Sequence, residues 1–237
     1  NVSCARITLK GTAFPTIGSG FRLNVKRDFT ATGNQVFGGS GTVVFNGTVM
    51  QTISGTVRLT NVEFANTSSA GVVIPALSTL KIEPGSVVTF LPDSKLTNDG
   101  AFILTSNATG TAKIGPIPVS ATITGSFIQE RYLSHGTGSG SWYLLGTPFG
   151  GNNFTNFSND FRVVALSGGF GDQGSDILPS VELERSTILK YVESMHNVRT
   201  DTVQKSGWRI PSNENMVAGT GYRVWVNYYS NHRHLFD

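Results

Sequence analysis

The chain is short of several things that usually anchor a functional assignment. One cysteine, Cys4, stands in 237 residues, so no internal disulfide braces the fold; the residue suits a small apolar place in the first strand, or a pairing outside this chain. Charged residues make up only 14%, with no Lys/Arg cluster and no stacking motif beside one, which argues against a nucleic-acid partner. No apolar run approaches the roughly 20 residues of a membrane-spanning helix. No window holds a helical period, and the nearest, Ser180 to His196, reads equally well as a strand. A Gly-x-Ser-x-Gly elbow is missing, and the four histidines all fall at His135 or later. The chain opens at Asn1 without Met and without a signal peptide, as expected of a mature chain after cleavage or of a piece of a longer one. Helical bundles, membrane helices and disulfide scaffolds are therefore excluded, and no catalytic constellation stands out.

What is present is turn and strand chemistry: 28 glycines together with frequent Thr, Ser and Asn predict an all-β protein. Between Gly38 and Thr124 lie short runs, among them Thr42–Phe45, Gln51–Gly55, Val57–Leu59, Val62–Phe64, Val72–Ile74, Leu80–Ile82, Val87–Phe90, Ala101–Leu104 and Ala112–Ile114. Apolar and polar residues alternate within each, and Gly or Asn separates most of them. Strands this short gain little as hairpins, but coils stacked on one another bury them, which predicts a parallel β-solenoid. The inward positions are then Val43, Phe45, Ile53, Val57, Leu59, Val62, Phe64, Val72, Ile74, Leu80, Ile82, Val88 and Phe90. Arg58, Glu63 and Lys81 take the opposite parity and face water; a one-residue slip would bury all three. Phe45, Phe64 and Phe90 recur at intervals close to one coil each, a coil in such repeats being about 20–25 residues.

Residues 1–37 read as an irregular cap, with Ala5–Leu9 and Phe21–Val25 as strands. The net charge of +3 originates there, from Arg6, Lys10, Arg22, Lys26 and Arg27 against Asp28. The solenoid is expected over 1–133, and 134–141, which includes His135 to Ser141, is a Gly/Ser linker. Residues 142–237 carry longer, more aromatic strands at 142–145, 161–166, 187–192, 207–210 and 221–228. They suit a β-sandwich-like module that is short of the usual seven or so strands, so further strands from a continuing chain or from another copy are expected.

Several groups are candidates for chemistry. Glu63 and Glu83 lie about one coil apart in sequence and could stack in adjacent coils as a catalytic pair, although solvated surface acids are the commoner case. Asp172, Gln173 and Asp176, set among glycines, supply hard oxygen ligands for Ca²⁺ without matching an established spacing. His232 and His234 lack a nearby Cys or acid to complete a metal site. Trp142, Trp208 and Trp225 could stack on sugars, against the ordinary reading that strand aromatics are core. Six Asn-x-Ser/Thr sites, at Asn1, Asn46, Asn66, Asn107, Asn153 and Asn156, read as by-products of Asn-rich turns.

Some longer phrases resemble one group of proteins. Phe45 to Thr48, Gln51 to Gly55 and Leu59 to Val62 resemble the solenoid repeats of large surface proteins from gliding and biofilm-forming Bacteroidota. Asn98 to Ala112, Thr124 to Tyr132, Trp142 to Pro148 and Gly219 to Trp225 are similar to the elements that follow them. The resemblance covers most of residues 38 to 228. It implies an exported, multidomain protein of the cell exterior, carried by the type IX secretion system. Such chains normally end in a C-terminal sorting domain, which is missing from this sequence. The resemblance also makes Thr202, in Asp201-Thr-Val203, the expected O-glycan attachment site. The function expected on these grounds is that of a non-catalytic spacer, fibre component or adhesin segment. Its partners would be other surface or secretion-system proteins, copies of itself, or glycans. The alternative is a polysaccharide-binding or polysaccharide-cleaving solenoid.

Overall fold

A computed structural model of the chain describes residues 1–11, 14–133, 141–146, 188–196, 206–209, 216 and 219–226, and it divides into two compact units, Asn1–Tyr132 and Leu133–Asp237. Every regular element among the described residues is a strand.

The first unit is a parallel β-solenoid of about six turns. Strand β1 (Val2–Cys4) is followed by a coil made of β2 (Ile7–Leu9), β3 (Thr16–Ile17) and β4 (Arg22–Val25). Strands β5 (Phe29–Ala31) and β6 (Val36–Phe45) form the next coil, and β7 (Gln51–Phe64) forms a whole coil by itself. Then come β8 (Val72–Ile74), β9 (Thr79–Ile82) and β10 (Val87–Phe90), followed by β11 (Lys95–Leu104). A small hairpin, β12 (Ser106–Asn107) and β13 (Gly110–Thr111), precedes β14 (Lys113–Ile114) and β15 (Thr122–Gln129).

The ladder runs along three faces. On the first, Phe29 pairs with Ile53, and Leu96 with both Val72 and Ile123. On the second, Leu80 pairs with both Val57 and Phe102. On the third, Val43 pairs with Leu23 and Val62, and Val88 with Val62 and Ile114.

Where the sequence marks separate runs at Gln51–Gly55, Val57–Leu59 and Val62–Phe64, the structure has the single fourteen-residue strand β7. The chain turns the corner without leaving the ladder because Gly55 sits at φ +78°, a conformation open to glycine and strained for other residues. Space demands glycine there too, since a Cβ on Gly55 would lie 2.0 Å from the Ala31 carbonyl oxygen one coil away.

All thirteen positions expected to point inward are buried in one continuous core. Its axis is an aromatic column. The rings of Phe45 and Phe64 stack at 5.7 Å, those of Phe64 and Phe90 at 5.1 Å, and Phe102 meets Phe127 at 4.8 Å. Each such pair adds about 0.5–1.5 kcal/mol beyond the area it buries. Cys4 lies in β1, half-buried against this core, and burial pushes its thiol pKa up.

The expected wet face needs one correction. Arg58 and Lys81 are partly exposed, but Glu63 is buried at 8% exposure. The cause is an ion pair with Arg22, two coils away, across the span that holds Val44. Val44 alternates outward between Asn24 and Glu63 in the register, yet it too is closed off from water.

The corner leading from the third face to the first is built on two buried polar side chains, Gln51 and Asn66. The Gln51 amide donates to the carbonyls of Val25 (2.9 Å) and Arg27 (2.8 Å), and its Oε1 accepts from Gly47 N–H (2.7 Å) and Asn66 Nδ2 (2.9 Å). Asn66 also reaches the Val49 carbonyl at 2.8 Å. The network satisfies backbone groups that the turn takes out of the ladder, which is the condition for burying them at all.

In the second unit, the described strands β16 (Ser141–Gly146), β17 (Ile188–His196), β18 (Ser206–Arg209) and β19 (Gly221–Val226) form one antiparallel sheet in the order β16-β19-β17-β18. Four of the five strands read from sequence fall on these elements; residues 161–166 and residues 134–140 of the expected 134–141 linker lie outside the described residues, and Ser141 opens β16.

Candidate functional site

Glycoside hydrolysis, the chemistry expected of a Glu63–Glu83 pair, needs carboxylates converging on one place. On the solenoid Asp28, Glu63, Glu83 and Glu130 are kept apart, each with its own partner. Arg58 holds Glu83 through two bonds, Nε to Oε1 at 2.8 Å and Nη2 to Oε2 at 3.1 Å, and a third nitrogen reaches Asn34 Oδ1 at 3.3 Å. Arg22 holds Glu63. Asp28 takes Arg6 at 2.9 Å and the Thr52 N–H at 3.1 Å, and Glu130 accepts from Ser106 N–H at 3.1 Å. No hydrogen bond or shared partner joins Glu63 to Glu83 among the described residues. The geometry is that of clamps between coils. A forked guanidinium fixed in this way ties neighbouring turns together and fixes their register.

The arginine partners escaped the sequence reading, although a signal was there. Arg58 and Glu83 are 25 residues apart, about one coil, so opposite charges at that interval fall on adjacent turns.

Among the described residues no group of three His, Cys, Asp or Glu side chains could hold a metal ion. The proposed Ca²⁺ ligands Asp172, Gln173 and Asp176, the glycan acceptor Thr202, and His135, His232 and His234 lie outside the described residues. Asn66, an Asn-x-Ser/Thr site, has no exposed surface, and its amide is consumed by the corner network. A glycan could not reach it in the folded coil.

The aromatic candidates sit on the four-stranded sheet. The register sets Trp142 opposite Trp225 and Trp208 opposite Tyr191. Directly opposed residues share one face of an antiparallel pair. Tyr222 and Val224, of the other parity in β19, are buried at 0% and 1%, whereas Leu144 is 73% exposed opposite Arg223. The Arg223 guanidinium lies 4.2 Å above the Trp142 ring, a cation–π contact that orients the indole and was not foreseen from sequence. The guanidinium covers one face of the Trp142 indole.

Comparison with known proteins returns no likeness: no family model, no curated protein and no solved structure matches the chain.

Proposed function

We propose that this chain is a non-catalytic segment of an extracellular surface protein, acting as spacer, fibre component or adhesin. The observation that carries the reading is the coupling between coils. An unbroken apolar column runs through the first unit, while Asp28, Glu63, Glu83 and Glu130 are each held by an arginine or a backbone donor of another coil, an arrangement that serves stiffness. In this reading the second unit is β-sandwich-like, and the chain is exported by type IX secretion in the manner of the Bacteroidota surface proteins its phrases resemble. Its neighbours are then other surface or secretion-system proteins, further copies of itself, or glycans.

The experiment combines a reducing-sugar assay over a panel of polysaccharides with protease shaving of intact cells that produce the protein. Loss of the protein from intact cells with no sugar released is the expected pair of results. Sugar release dependent on Glu63 or Glu83 would overturn the non-catalytic reading, and protection from protease until the cells are lysed would overturn the surface reading.

A second reading, polysaccharide binding, is favoured by one specific feature: the Trp142–Trp225 register with Arg223 over the Trp142 ring. A glycan array on wild type and Trp142→Ala separates it from a purely mechanical role. Binding lost in the variant supports it, and an array with no signal removes it.

A further inference from the structure

The first three coils carry a group of positive charges, Arg6, Lys26 and Arg27, that the ion pairs among the described residues balance only in part. Arg6 is paired with Asp28, but no carboxylate among the described residues pairs with the exposed Arg27. Lys26, beside it, reaches only the Asn46 carbonyl at 3.4 Å.

Arg6, Arg27 and Asp28, but not Lys26, line a shallow cleft of about 540 Å³ together with Ala5, Met50 and Thr52. The register explains the hollow. Cys4 pairs with Val25 and Ile7 with Phe29, so the two residues Ala5 and Arg6 face the three residues Lys26, Arg27 and Asp28, with Arg6 bonded to Asp28. The small Ala5 leaves open space at this mismatched corner that a larger side chain would fill. Phe29 pairs in turn with Ile53, which puts Thr52 next to Asp28, where its N–H binds the carboxylate. Met50, 53% exposed, supplies an apolar wall.

The backbone under the cleft is rigid. The Arg27 carbonyl is held by the buried Gln51 amide at 2.8 Å, and Asp28 is held from two sides. Asp28 accepts from Arg6 through Oδ2 and from the Thr52 N–H through Oδ1, so it is oriented toward Arg6 and forms no ion pair with Arg27. A guanidinium fork on a fixed backbone, with a second fork one coil away, is a site for an oxyanion. Adjacent coils are about 4.8 Å apart, so the two forks suit anionic groups carried along an extended polymer.

We propose that this cleft binds an acidic polysaccharide, with Arg27 as the principal contact to its carboxylate or sulfate groups and Arg6 as the second. The proposal deepens the surface-segment reading and rests on it for the choice of an extracellular polymer as the carrier of the anion.

The test is titration of the full chain with polygalacturonate, dextran sulfate, neutral dextran and duplex DNA, for wild type, Arg27→Ala, Arg27→Lys and Arg131→Ala. Arg131 is exposed and lies far along the chain from the cleft, and so reports on diffuse charge. The expected result is binding to one or both acidic polysaccharides and none to neutral dextran, weakened about tenfold in Arg27→Ala and partly restored in Arg27→Lys, because lysine keeps the charge and loses the fork. Whether polygalacturonate or dextran sulfate binds more tightly identifies the anion. Equal losses in Arg27→Ala and Arg131→Ala, tighter binding to DNA than to either polysaccharide, or no binding at all would each overturn the proposal. The protease-shaving result stands apart from these outcomes, so a failed cleft and a failed surface reading are distinguishable.

Discussion

The two units use the same kind of element in opposite ways. In the solenoid the strands, apart from the small β12–β13 hairpin, pair in parallel with the next coil, so Val43 meets Val62 and Val62 meets Val88, each partner about one coil further along. In the second unit Ser141 meets Val226 across most of that unit's length, and the neighbours are antiparallel. A short, repeated loop closure has a small and similar entropic cost at every turn, while one long closure has to be compensated by contacts formed late. The first unit can therefore add coils one by one, with each coil's stability coming from its nearest neighbours. The second depends on pairing between distant segments. The comparison also separates their probes: all three tryptophans, Trp142, Trp208 and Trp225, belong to the second unit, so tryptophan fluorescence reports on it while circular dichroism reports on both.

The largest effect expected is on the aromatic column. Phe64→Ala removes a ring that touches Phe45, Phe90 and Phe102 and should lower the stability of the first unit by about 3–5 kcal/mol. In a denaturant titration followed by circular dichroism and fluorescence together, the first-unit transition should move and the tryptophan transition should stay. A common shift of both signals would show that the units unfold as one, and would end the comparison as drawn.

Next comes the polar corner. Gln51→Leu keeps the bulk but strands the Gly47 N–H and the Arg27 carbonyl and leaves the Val25 carbonyl with the Asn46 N–H alone, with an expected loss of about 2–3 kcal/mol. Hydrogen exchange should show faster exchange at Gly47. Unchanged protection there would mean that other donors and acceptors take over.

The clamps between coils follow. Arg58→Ala breaks the bidentate contact to Glu83, whose side chain is 18% exposed, and should lower stability by about 1 kcal/mol, less in high salt. A loss that does not depend on salt would place the effect in packing of the arginine stem.

In the second unit, Arg223→Ala should shift the tryptophan emission and lower that unit's stability by about 0.5–1 kcal/mol, with the first-unit transition unmoved. No spectral change would mean that Arg223 does not shape the environment of Trp142.

The smallest effect concerns Cys4. Burial raises its thiol pKa, so less thiolate is present at a given pH and alkylation should be slower in the native chain than in urea. Equal rates at pH 8 would show that the first strand opens freely.

The sequence by itself determined the periodic part of this protein. Alternation in runs such as Val72–Ile74 and Val87–Phe90 marks which side chains enter the core, and the intervals between Phe45, Phe64 and Phe90 mark the coil length, because both are properties of neighbouring residues on a repeating path. Tertiary structure alone decided what happens between coils. Arg22 reaches across two turns to bury Glu63, Gln51 gathers carbonyls from the coil before it, and Gly55 carries β7 round a corner where the sequence marks a break. Each depends on which residues the register stacks together, and because the step from Val43 to Val62 is shorter than the step from Val62 to Val88, no fixed interval reveals that register in the linear chain. The same reason applies more strongly to the second unit, where Trp142 and Trp225 oppose each other from its first and last described strands and no local period connects them.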